Sequence, residues 1–142
     1  MKVLFINGPN LNMLGTREED VYGSLTLDQI NEKILSKANE LKIDTDFFQS
    51  NVEGNLVSKI QESSDFDYIV INPAAFTHTS IAIRDALLSI KAKFIEVHLS
   101  NIYSGEDFRH NSYVSSIAIG VISGFGFHGY LMALDYILSL KD

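Results

Sequence analysis

Two pairs of residues in this chain combine the types and spacing that acid–base chemistry requires. Arg17 and Tyr22 stand five positions apart in a polar stretch that runs from Asn7 to Tyr22. A phenol is almost wholly protonated at neutral pH, so a tyrosine becomes a base only beside a cation that favours its phenolate. Arg17 can supply that cation. Glu96 and His98 are two positions apart, which puts them on the same side of the pleat if they share a strand. A carboxylate beside an imidazole orients the ring and favours its charged form, the form a general acid needs. Each residue also has an ordinary reading. Most tyrosines pack with the hydroxyl hydrogen-bonded, and a histidine ending a buried strand can be satisfied by backbone.

The remaining candidates are less specific. His78 and Asp85 are seven positions apart and share a helix face if the helix reaches back to His78. Of the three arginines, Arg17 and Arg109 fall in loops that follow strands, whereas Arg84 falls on a helix. His110 and His128 read as structural or surface residues. There is no cysteine, and the histidines lack close ligand spacing, so neither a disulfide nor a metal centre is expected. Gly124-Phe125-Gly126-Phe127-His128-Gly129 has the G-x-G-x-x-G spacing of a dinucleotide site. That fingerprint needs a later strand and an acidic residue about 20 positions on, and too little chain remains. Close packing of a strand on a helix is the better account, and no cofactor is expected. Asn72, where a phosphoacceptor fold would need aspartate, argues against phosphotransfer.

Positioning these residues is the task of alternating strands and helices. Lys2 to Ile6 reads as a buried first strand. The loop after it is about fifteen residues long, where strand-to-helix connections usually take about 2–6, and loops of that length are commonly functional. Thr26 with Gln29 fits a capping box, and Leu25 with Ile30 a hydrophobic staple. Leu27, Ile30, Ile34, Ala38 and Leu41 then make the apolar face of a helix of about sixteen residues. A second strand is expected over 43–49 and a second helix over 55–63, with Leu56, Val57 and Ile60 inward. The continuous apolar run Tyr68–Ile71 marks a central strand. A helix over about 79–89, a fourth strand over 94–98, a fifth over 117–122 and a last helix over about 125–140 complete the pattern. On that last helix Phe127, Leu131, Leu134 and Leu138 form one apolar face, and Met132, Tyr136 and Leu140 a second. Two such faces suit a helix that covers both its own sheet and a neighbouring copy.

Five strands alternating with helices predict an α/β fold, a five-stranded parallel sheet with helices on both faces. Sequence alone does not fix the strand order, and the flavodoxin-like order 2-1-3-4-5 is the one expected for this length. The 142 residues are expected to form one domain, 1–142. Ligands of such sheets bind beyond the carboxyl ends of the strands. That rule gathers the loops 7–22, 72–78 and 98–109 at one edge. A net charge of −7 argues against a nucleic-acid partner. No apolar run long enough to span a membrane and no leader-like N-terminus is present, so a cytoplasmic location is expected.

Taken together, the residues closely resemble type II 3-dehydroquinate dehydratase. The matching segments are Asn7-Gly8-Pro9-Asn10-Leu11 with Leu14-Gly15 and Arg17, Tyr22-Gly23, Gln49-Ser50-Asn51, and Asn72-Pro73 with Thr77-His78-Thr79-Ser80. Further on come Ile83-Arg84-Asp85-Ala86, Glu96-Val97-His98-Leu99-Ser100-Asn101, Phe108-Arg109-His110, and Gly126 with Gly129-Tyr130-Leu131. The resemblance is collinear over nearly the whole chain. It implies a cofactor-free step of the shikimate pathway, with 3-dehydroquinate as substrate, in a homododecamer built from trimers. On this pattern Tyr22 accepts the proton, and Arg17 lowers its pKa and stabilises developing charge. His98 protonates the leaving hydroxyl, Glu96 orients His98, and Asn10 holds a water near the enolate oxygen. Asn72, His78, Asp85 and Arg109, with the backbone amides of Leu99 and Ser100, hold the substrate's hydroxyls and carboxylate. Ala74, Phe76, Tyr103, Gly105 and Asn111 depart from the pattern, none of them at a proposed catalytic residue. The lysines fall mostly on helix faces or near the termini, so an enolate route without a lysine imine is expected. A rival from another class is a non-catalytic flavodoxin-like module that binds a small anionic metabolite.

Overall fold

A computed structural model of the chain describes residues 1–16 and 24–141. Its strands form where β-branched and aromatic residues cluster, in apolar runs at the centre of the sheet and in more polar segments at its edges: β1 (Lys2–Asn7), β2 (Asp44–Gln49), β3 (Tyr68–Asn72), β4 (Phe94–His98) and β5 (Gly120–Ser123). All pair in parallel in the order β2-β1-β3-β4-β5, the flavodoxin-like order expected. The helices are α1 (Leu27–Glu40), α2 (Glu53–Gln61), α3 (Ile81–Ser89) and α4 (His128–Ser139).

Alternation along the central strands divides the core in two. Val3, Phe5, Val70, Ile95 and Val97 face α1 and α4, where they meet Ile30, Ile34, Tyr130, Leu134 and Ile137. Leu4, Ile6, Ile69, Ile71 and Phe94 face α2 and α3, where they meet Leu56, Ile60, Ile83 and Leu87. Truncating a fully buried aromatic such as Phe5 or Phe94 to alanine costs about 3–5 kcal/mol in such a core. Glu96 and His98 share the parity of Phe94, so the α2–α3 side of the sheet carries both. Register sets Asn7 beside Asn72, Ile71 beside Glu96, and His98 beside Ser123.

The start of α1 follows its sequence signal closely. Thr26 Oγ1 accepts from the Gln29 N–H at 3.2 Å, and Gln29 Oε1 accepts from the Thr26 N–H at 2.9 Å. Leu27, Ile30, Ile34 and Ala38 are buried as expected, although the helix has 14 residues and Leu41 is only half-buried.

Other boundaries moved. Residues Ala74–His78 form a 3₁₀ turn, and α3 begins only at Ile81, where Ser80 Oγ accepts from the Ile83 N–H at 2.9 Å. His78 and Asp85 therefore do not share a helix face. Pro73 and the Ser80 cap divide the segment into two short pieces. The expected fifth strand loses its first residues to a turn at Ser115–Ile117 and is half-exposed at the sheet edge. On α4 the buried stripe is Tyr130, Ala133, Leu134 and Ile137, with Leu131 and Leu138 at its margins. The second apolar set, Met132, Tyr136 and Leu140, faces outward as expected.

Candidate active site

The carboxyl edge of the sheet is assembled by backbone contacts that leave little freedom. The Gly8 N–H donates to the Asn72 carbonyl at 2.8 Å, joining the ends of β1 and β3. A Cβ at Gly8 would lie 2.3 Å from the Pro73 carbonyl oxygen, so the close approach requires glycine. Asn10 follows in the left-handed region at φ 70° and begins a 3₁₀ turn over Leu11–Met13. The end of β2 holds this turn. Asn51 Oδ1 accepts from the Asn10 N–H at 3.0 Å, while Gln49 Nε2 donates to the Gly8 carbonyl and to Asn51 Oδ1, both at 3.1 Å.

Beneath this edge, Tyr130 of α4 is fully buried and its hydroxyl donates to Asn7 Oδ1. The same hydroxyl accepts from Asn72 Nδ2 at 3.3 Å, and Asn72 Oδ1 accepts from the Ala74 N–H at 3.1 Å. Burial pushes the Tyr130 phenol well above its ordinary pKa, against a smaller lowering by Asn72, so it stays a neutral donor. Ala74 adopts φ 54°, a conformation natural to glycine and costly for alanine.

At the end of β4, Glu96 Oε2 is hydrogen-bonded to His98 Nε2, and both side chains are buried. Glu96 Oε1 accepts from Ser115 Oγ at 2.6 Å and Ser112 Oγ at 3.1 Å. Burial is the largest influence on this carboxyl and raises its pKa. The His98 bond and charge with the two serine bonds outweigh it, so the net shift is downward and Glu96 is held as an anion. His98 Nδ1 has no hydrogen-bond partner among the described residues. The His78 ring stacks near that of His98, with centroids 6.5 Å apart. Because His78 Nδ1 lies 2.7 Å from the Asn111 carbonyl, that nitrogen carries a proton. Nε2 of a neutral His78 is then an acceptor.

Arg109 stands on the outer wall. Its Nε donates to Glu106 at 3.2 Å to each carboxylate oxygen, and its guanidinium lies 5.0 Å from the Phe108 ring centroid. The Arg109 hydrogen bond holds the exposed Glu106 carboxyl below its usual range.

These parts enclose a cleft of ≈ 470 Å³ lined by Asn10, Asn72, His78, His98, Leu99, Ser100 and Arg109, together with Pro9, Ala74, Ile102 and Glu106. Glu96 sits behind His98 rather than in the wall. Asp85 lies on the exposed face of α3 and does not line the cleft. Arg17 and Tyr22 lie outside the described residues. No lysine among the described residues is buried, and none lines the cleft. Among the described residues no three His, Asp or Glu side chains are grouped to hold a metal ion. Sequence reasoning gave no role to Tyr130, Ser112 or Ser115. An isolated tyrosine on an apolar helix and two serines in a loop carry no pattern that identifies their partners.

The chain matches the family model described as dehydroquinase class II over residues 1–138. It is 57% identical over 140 residues to the 3-dehydroquinate dehydratase of Endomicrobium trichonymphae, covering 98% of each chain. It is 58% identical over 136 residues to the enzyme of the same name from Bordetella avium, covering 94% of each. The crystal structure of type II dehydroquinase from Butyrivibrio crossotus superposes with a TM-score of 0.93 at 46% identity, over 98% of this chain and 97% of that one.

Proposed function

Because the chain belongs to the class II dehydroquinase family, we propose that it is a hydro-lyase converting 3-dehydroquinate to 3-dehydroshikimate and water in the shikimate pathway. The single observation that carries the chemistry is the buried Glu96 carboxyl hydrogen-bonded to His98, whose ring lines the cleft. Removing water across C1 and C2 requires a base for the proton beside the ketone and an acid for the departing hydroxyl. Tyr22, as a phenolate favoured by the charge of Arg17, takes the C2 proton, and the electron pair of that bond passes into an enolate. The pair then returns to form the C1–C2 double bond as the C1 hydroxyl leaves. His98 protonates the hydroxyl, so water departs.

His98 suits the acid's role because Glu96 occupies Nε2 and leaves Nδ1 as the working nitrogen. Asn10 holds a water against the enolate oxygen. The charge is stabilised there by a fixed dipole that needs no reorganisation. Asn72, His78 and Arg109, with the amides of Leu99 and Ser100, hold the substrate's hydroxyls and carboxylate, and all of them line one cleft. Asp85, on the outer face of α3, acts only where a second copy brings a site to it. That fits the proposed homododecamer of trimers, as does the exposed apolar set on α4. One catalytic domain, 1–142, acting in the cytoplasm completes the reading. Among the described residues no helix is long and apolar enough to cross a membrane.

The test is to add 3-dehydroquinate and follow the ultraviolet absorbance of the conjugated enone-carboxylate product. Growth of that band is expected, whereas binding without it would favour a non-catalytic metabolite-binding module. With no lysine lining the cleft among the described residues, borohydride should leave activity intact in the presence of substrate. Substrate-dependent inactivation would establish an imine and overturn the enolate route.

A further inference from the structure

The carboxylate of Glu96 has three neighbours, and the direction of each hydrogen bond follows from the groups around it. Ser112 Oγ accepts from the backbone N–H of Val114 at 3.2 Å and of Ser115 at 3.1 Å. Both of its lone pairs are thus engaged, and its single proton is left for Glu96 Oε1. Ser115 Oγ approaches the same oxygen at 2.6 Å, within the range of a hydroxyl donating to a charged carboxylate. Oε1 therefore receives two protons from serines. Only Oε2, the oxygen facing His98, remains where an acid proton of Glu96 could reside.

The segment that presents these serines is itself fixed from three directions. The Tyr113 N–H donates to the Thr77 carbonyl at 3.0 Å. Arg84 Nη1 of α3 donates to the Tyr113 carbonyl at 2.6 Å and to Ser116 Oγ at 3.1 Å. His78 holds the Asn111 carbonyl. Arg84, which the reaction scheme does not use, thereby clamps the loop that carries the hydroxyls.

We propose that Ser112 and Ser115 are positioning residues that keep the Glu96–His98 pair as carboxylate and imidazolium, by donating two hydrogen bonds to the oxygen that His98 does not touch. Without them a fully buried Glu96 has only His98 to offset its desolvation. The proton between the two side chains then rests on Glu96, giving a neutral acid against a neutral imidazole. An imidazole in that state keeps its Nδ1 proton but is a far weaker acid than imidazolium, because giving that proton to a leaving group leaves an imidazolate unless Glu96 returns its own proton to Nε2. The other charged and titratable groups around the pair, among the described residues, are His78 beside His98, Arg84 on α3, and Arg109 with Glu106 on the cleft wall. None of these touches Glu96.

The catalytic half of this inference rests on the proposed dehydratase activity, whereas the titration half does not. In ligand-free protein carrying ¹³C-labelled glutamate, the Glu96 carboxyl midpoint should move up by about one unit for each hydroxyl removed in Ser112→Ala or Ser115→Ala. Ser115→Thr, which keeps a hydroxyl, should restore it. In the assay the same variants should lower kcat about tenfold at pH 7, move the acidic limb of the kcat profile toward neutrality, and leave KM within about twofold. The single variants each retain one serine bond and are read first, so the outcome does not depend on the double variant folding. An unchanged Glu96 midpoint in both single variants would overturn the proposal, as would a shift in Ser115→Thr equal to that in Ser115→Ala. A shifted midpoint in a protein that does not dehydrate 3-dehydroquinate would refute the activity and leave the serine role standing.

Discussion

At the residue scale the decisive group is a carboxylate that is more buried than its charge would ordinarily allow. Glu96 stays ionised because three donors replace the water it has lost. Its folded pKa is below the ordinary glutamate value, so the unfolded chain binds more protons in the interval between the two. Its contribution to stability is fully present above the unfolded value and is lost as pH falls through the folded one. Melting temperatures from pH 7 down to pH 3 should therefore decline more steeply for the native protein than for Glu96→Gln, and parallel curves would contradict the shift. Tyr22, the proposed base, is the other residue to test. Tyr22→Phe removes the proposed proton acceptor while leaving the ring, so kcat should fall by about 10²-fold or more. Equilibrium dialysis should still show 3-dehydroquinate bound. Near-normal turnover would exclude Tyr22 as the base.

At the element scale the site depends on how closely the ends of β1 and β3 approach. Gly8 permits the contact with Pro73, and Tyr130 bridges Asn7 and Asn72 from below. Gly8→Ala should cost about 1–3 kcal/mol by urea denaturation, because the obstructing atom is a backbone carbonyl that cannot rotate aside. Ala74, in the turn just after β3, has the opposite expectation. Its φ of 54° strains an alanine, so Ala74→Gly should stabilise the fold by up to about 1 kcal/mol after the added entropy of glycine is subtracted. A loss of stability would show that the Asn72 bond to the Ala74 N–H already compensates the strain. Gly129 illustrates a glycine needed for packing. Its Cβ position lies 3.1 Å from Val97 Cγ1 and 3.3 Å from Ile122 Cγ2, which accounts for a glycine at this position by strand–helix packing.

At the scale of the whole molecule, the exposed Met132, Tyr136 and Leu140 lie on one helix, and Ile81 and Leu88 are exposed on another. In the proposed assembly these surfaces are covered by other copies. Size-exclusion chromatography with light scattering should give a mass many times 15.9 kDa, and a monomer would refute the oligomer. Asp85 gives this measurement a functional edge. If a second copy brings it to a site, Asp85→Asn should raise KM while the isolated chain's melting behaviour stays the same.

Hydrophobic periodicity by itself determined the sheet, its helices and the capping box of α1, because burial and local hydrogen bonding are written into residues a few positions apart. Parallel pairing followed from that alternation, whereas the order 2-1-3-4-5 was an expectation for a chain of this length that the sheet bears out. The strand-end rule then collected Asn10, Asn72, His78, His98 and Arg109 at one edge, and all of them line one cleft. Tertiary structure alone decided that Tyr130 joins two asparagines, that Ser112 and Ser115 support Glu96, and that His78 ends a turn while Asp85 faces outward. Those relations depend on which side chains meet across 16 to 123 positions of sequence. No periodicity encodes such meetings, since packing sets them only once the sheet has formed.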